Sequence, residues 1–180
     1  MLTLIDWLLD NTDCYYIDFL PETMISSDYF EIEEFFYDTY IKDFSKKIVR
    51  IIVKILGYYP AQIYLTEFPD KIDNNFKSLY PVEEDIRNKP LKELAKIISY
   101  VIINDVSSVE IILGENEKSL ISVKGGFSID IYNISEERLK LFNTLIEQEN
   151  LFLRKEGEAG SRRQSILREM TARHSTSKSF

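Results

Sequence analysis

Cysteine and histidine are nearly missing from this chain: 180 residues hold one of each, Cys14 and His174. One thiol excludes an internal disulfide and is expected to be buried, in a reducing compartment. The two residues supply no soft-ligand set for a structural zinc, and a Cys–His or Ser–His–Asp arrangement would have to recruit the single histidine from the end of the chain. Glycine is sparse too, at six residues. Gly125-Gly126 lacks both the G-x-G-x-x-G spacing and a following Lys-Ser/Thr, which excludes a phosphate-cradling loop. No apolar run approaches the ~20 residues that span a bilayer. The opening MLTLIDWLLDNTD carries Asp6 and Asp10 and no early Lys or Arg, so it does not read as a signal peptide. Positive charge is short, with 22 Lys and Arg against 30 Asp and Glu. Neighbouring acids such as Glu33-Glu34 arise from such a composition without implying Mg²⁺ or acid–base chemistry. These absences argue against an enzyme, a cofactor or a metal site, and place the chain in the cytoplasm.

What is present is a core. Hydrophobic residues make up 44% and aromatics 13%, enough for one domain. The expected organisation is an acidic α+β domain over residues 1–156 followed by a basic flexible tail over 157–180. The net charge of −8 divides unevenly: about −12 falls on residues 1–158 and +4 on residues 159–180. A domain of that sign is repelled by nucleic acid and anionic membrane and attracted to basic macromolecules. The tail holds four of the eight arginines. Its Arg162-Arg163-Gln164-Ser165 fits a basic-directed kinase site, and the whole segment equally fits an appended extension.

Hydrophobic periodicity predicts about four helices and an antiparallel sheet. A short helix over 2–10 places Leu2, Ile5, Trp7, Leu8 and Leu9 on its apolar side. Strands are expected near 14–20, 61–66 and 151–155, with a three-strand meander over about 108–132. Alternation sets Ile111 opposite Ile121 across a five-residue connection, Gly114 to Lys118. A three-residue loop, Lys124 to Gly126, sets Val123 opposite Phe127, with one glycine left-handed. Helices are expected from about Pro90 to Ile103, with Leu91 inward, and from Glu136 to about Glu149, capped by Ser135. Residues 67–89 read as a long loop with an acidic cluster, Glu83, Glu84 and Asp85.

The organising stretch is Ser26–Tyr59. Phe30, Tyr37, Ile41, Phe44, Ile48, Ile51, Ile52 and Ile55 recur at helical spacing, and Gly57 with Pro60 is expected to close the helix. Its length predicts a break near Asp43-Phe44-Ser45, with Asp43 or Ser45 capping a second helix. Acids fill the first half and bases the second, as the helix dipole favours. The dipole leaves one feature unexplained: Glu31, Glu34 and Asp38 form a like-charged row at i, i+3, i+7, crowded by Tyr29, Phe35, Phe36 and Tyr40. Carboxylates with surplus rings suit a surface that meets a basic partner.

The acidic-aromatic DYFEIEEFFYDTY (Asp28–Tyr40) and the late run SVKGGFSIDIYNISEERL…LFLRK resemble the immunity proteins of bacterial toxin–immunity pairs, including those of contact-dependent inhibition and other polymorphic toxin systems. The resemblance is to the class as a whole and covers roughly residues 1–156. It implies stoichiometric binding of a cognate toxin domain, often a nuclease with a basic cleft. Partner contacts would come from Tyr29, Glu31, Glu34, Phe35, Asp38 and Tyr40, with Glu83, Glu84 and Asp85 as a second patch. Two other readings share parts of the pattern: a nucleic-acid mimic that inhibits a defence enzyme, and a regulatory binding module with a phosphorylatable tail.

Overall fold

The computed structural model describes residues 2–11, 13–21, 29–66 and 84–156. Among them are four helices and a six-stranded antiparallel sheet: α1 (Leu2–Asn11), β1 (Cys14–Asp18), α2 (Tyr29–Tyr58), β2 (Ala61–Leu65), α3 (Leu91–Asn104), β3 (Val109–Leu113), β4 (Ser119–Val123), β5 (Ile129–Tyr132), α4 (Glu136–Glu147) and β6 (Phe152–Lys155). The strand order is β2-β3-β4-β5-β1-β6, so the α+β class stands. Residues 157–180 and most of the expected acidic loop, 67–83, lie outside the described residues. Among those described, no helix is long and apolar enough to cross a membrane.

Strand alternation builds two cores of unequal size. Ile17, Ile63, Leu65, Val109, Ile111, Leu113, Ile121, Val123, Ile129 and Ile131 pack with the apolar stripes of α2, α3 and α4. Tyr64, Ile112 and Leu120 point the other way and meet Ile5 and Leu8 of α1. That covering explains why β3 and β4 are buried on both faces rather than alternating apolar and wet. Trp7 departs from the expected apolar side of α1 and is 52% exposed, because Ile5 and Leu8 define the buried stripe one residue away. Leu91, in the first turn of α3, is likewise exposed rather than inward.

The expected break in the long helix does not occur. α2 runs unbroken for 30 residues, about 45 Å. Phe44 is fully buried, and Ser45 is buried too, its hydroxyl donating to Ser99 Oγ of α3 at 3.0 Å instead of capping a new helix. Asp43 faces solvent and pairs with Lys47 one turn on, at 3.6 Å. Gly57 does not end the helix either. It stays inside, and the Tyr59 N–H bonds the Ile55 carbonyl just beyond. Ser135 precedes α4 with extended backbone but makes no side-chain cap bond.

The β3–β4 register is as expected, with Ile111 opposite Ile121. The β4–β5 register is displaced by two residues: Val123 pairs with Ile129, not Phe127, and Ile121 with Ile131. The ladder continues to Lys124, whose N–H bonds the Ser128 carbonyl at 2.9 Å. Phe127 instead leaves the strand and fills a ring cluster with Phe19, Tyr40 and Phe44, at centroid distances of 4.4, 6.4 and 5.0 Å. A shift of two keeps every side chain on its face, so burying one aromatic ring decides between registers that alternation cannot separate. Gly126 supplies the left-handed residue, at φ 65°.

Candidate functional site

The two halves of α2 treat their charges differently. In the C-terminal half, Lys47, Arg50 and Lys54 are spent inside the molecule, and Lys46 alone of its bases is exposed without an ion pair among the described residues. Lys47 Nζ donates to the Tyr40 hydroxyl at 2.8 Å and pairs with Asp43. Arg50 and Lys54 converge on Glu149, past the end of α4, at 2.6 and 3.4 Å. The Arg50 guanidinium holds the Glu149 carboxyl below the usual carboxylate range, with Lys54 adding to the effect. In the N-terminal half, Glu31, Glu34 and Asp38 are exposed, and none forms an ion pair among the described residues.

Rings sort by the same geometry. Phe35 stands out at 63% exposed within the acidic row, while its neighbour Phe36 turns toward Phe19 at 5.1 Å. Tyr37 donates its hydroxyl to the Ile103 carbonyl at 2.8 Å, which ties α2 to the end of α3. Tyr40 departs from the expected surface role. It is half-buried, stacked near-parallel on Phe127 and wedged against Phe36 and Phe44. Tyr29 begins the helix, and its side chain lies outside what is described. The structure therefore brings Glu31, Glu34, Phe35 and Asp38 together on one exposed face and withdraws Tyr40 from it.

The second predicted patch divides as well. Glu83 lies outside the described residues and Glu84 is exposed. Asp85 serves the fold instead of a surface, since its Oδ1 accepts the Ile63 N–H of edge strand β2 at 3.0 Å and the Arg87 N–H at 2.9 Å. The Ile86 N–H bonds the Ile63 carbonyl beside it, at 2.8 Å. Residues 85–86 thus clip the outward backbone of β2, the device by which sheets block unwanted edge pairing.

Chemistry is thin elsewhere among the described residues. No cluster of His, Cys, Asp and Glu there can hold a metal. An open cleft of about 400 Å³ lies between Tyr59, Pro60, Gly114, Glu115, Asn116, Glu117 and Arg138. The cation lining it is engaged: Arg138 donates to the Glu117 carbonyl and Ser119 Oγ and lies over the Tyr59 ring. Burial, helped by the Asp130 charge, pushes the Cys14 thiol up to about 12, so it is no nucleophile at neutral pH.

One group was missed from the sequence. Glu110 sits in β3 at a position alternation assigns to solvent, yet it is 3% exposed. Strand pairing sets it in a polar row across the whole sheet, Tyr64–Glu110–Ser122–Asp130–Tyr16–Arg154. The clue was the apolar Ile112 and Leu120 on the same face, which show that this side is covered. No family model, curated protein or solved structure matches the chain.

Proposed function

We propose that this chain is a binding protein that neutralises a basic macromolecular partner, in the manner of the immunity proteins its sequence resembles, with a toxin domain such as a nuclease as the partner. One observation carries the reading: Lys47, Arg50 and Lys54 of α2 have internal partners, whereas the Glu31, Glu34 and Asp38 carboxylates beside exposed Phe35 have no ion-pair partner among the described residues. A row of fixed carboxylates on a rigid helix stands in for the phosphates of a nuclease substrate. Each charge–charge contact it makes gains about 1 kcal/mol in water at 4 Å, and several times that once the interface excludes solvent. The same field raises the association rate by orders of magnitude at low salt. Phe35 supplies the apolar anchor, with roughly 1.5–3 kcal/mol available from burying a ring of that size. The row covers only two helical turns, which favours a local basic cleft over duplex mimicry, since a mimic needs carboxylates across an entire face.

Co-expression tests this. The polypeptide encoded beside the chain should be toxic alone and harmless with it. The triple variant Glu31→Lys, Glu34→Lys, Asp38→Lys should lose protection while keeping the wild-type circular dichroism and melting curve. Undiminished protection by that folded variant would place the contact surface elsewhere.

A further inference from the structure

Glu110 is the one buried carboxylate among the described residues, and its two oxygens are treated unequally. Oε1 accepts hydrogen bonds from Ser108 Oγ at 2.7 Å and Ser122 Oγ at 2.9 Å. Oε2 is equally buried and has no partner. The hydroxyl chain extends outward, because Ser108 Oγ lies 2.9 Å from Thr66 Oγ1 at the end of β2. The charged and titratable groups facing Glu110 are few. Tyr64 is opposite on β2, with Asp85 near it, and Asp130 lies two strands away on β5. Lys124, at the end of β4, is already committed to Asp130 at 3.1 Å. An ionised Glu110 would be a buried anion without a counter-ion of its own and with half its charge on an unbonded oxygen, which is the costliest state for a buried carboxylate.

We propose that Glu110 is a built-in proton switch: the neutral acid holds the β2–β3–β4 end of the sheet closed, and ionisation loosens it. A proton on Oε2 removes the charge and leaves Oε1 to accept from both serines. Burial pushes the Glu110 carboxyl up, outweighing the two serine bonds and the Lys124 charge that pull it down. A carboxyl raised on folding stabilises most fully below its unfolded value, about 4.5, and loses that contribution as pH rises through the folded value. Loosening would spread along the Ser108–Thr66 link to the end of β2 and the turn that follows α3.

Three measurements test the switch. Infrared titration of the wild-type protein should show a protonated-acid carbonyl band that persists well above pH 5 and is absent from Glu110→Gln. The melting temperature of Glu110→Gln should equal that of wild type at pH 4 and exceed it by at least ~3 °C at pH 8. Amide exchange at Tyr64, opposite Glu110, and at Thr66, whose N–H bonds the Ser108 carbonyl, should quicken with pH beyond the intrinsic rate in wild type only. A carboxylate band alone across this range, or melting curves of the two proteins that run parallel with pH, would overturn the proposal. The wild-type infrared titration alone shows whether any carboxyl stays protonated well above pH 5, and that result stands even where the variant folds poorly; the variant serves only to assign the band to Glu110.

Discussion

Two glycines show how much a single Cβ decides. Gly125 lies against Asp105, so closely that an added Cβ would overlap both the Asp105 side chain and its Cα. Beside it, the Gly126 N–H bonds the Ile102 carbonyl at 2.9 Å and docks the end of α3 on the β4–β5 turn. Gly125→Ala should therefore destabilise the fold by about 1–3 kcal/mol, the usual cost of overpacking, read as a lowered denaturant midpoint. Gly57 is the opposite case, a helical residue with open space where its Cβ would stand. Gly57→Ala should raise stability by about 0.5–1 kcal/mol in the same assay. Cys14 gives a third residue-scale outcome. With its thiol held up to about 12, it should resist alkylation at pH 8 in the native protein and react at once in denaturant.

At the scale of elements, the pairing of α2 with the end of α4 gives a pH dependence whose sign opposes that of Glu110. Glu149 is held down by Arg50, so its contribution is complete above its unfolded value of about 4.5 and is lost as pH falls through the folded value. Arg50 is half-exposed, and solvent screening limits the pair to about 1 kcal/mol. Glu149→Gln should cost that much at pH 7 and nothing near pH 2, measured by urea unfolding at each pH. Helices and strands were legible in the sequence to within a few residues because periodicity is a local signal. Apart from the local end signals at Gly57 and Ser135, the failures were tertiary. Phe44 and Ser45 continue α2 because α3 and the ring cluster receive them, and Phe127 shifts the hairpin because that cluster has room for it. The charge row at Glu31, Glu34 and Asp38 was legible as spacing. That Lys47, Arg50 and Lys54 would be absorbed by Tyr40 and Glu149 was not, since those partners are remote in sequence or hidden by folding.

For the whole molecule the governing quantity is the separation of charge between an acidic domain and a basic terminal segment. Residues 159–180 carry about +4 and offset part of a domain near −12. The described strands and helices end by Lys155, and the exposed acidic face of α2 belongs to the domain. Under the neutralising-binder reading, a chain truncated after Glu156 keeps its interface and gains negative charge. It should associate with the co-expressed basic partner at least as fast as the full chain, most visibly at about 50 mM salt or below, with an equilibrium affinity unchanged within about 0.5 kcal/mol. Stopped-flow association across a salt series separates the readings, with circular dichroism checking the fold. A steeper salt slope with retained affinity fits steering by the acidic domain. Loss of binding with the fold intact would transfer the function to the basic segment and its Arg162-Arg163-Gln164-Ser165 sequence, as a phosphorylatable regulatory module requires.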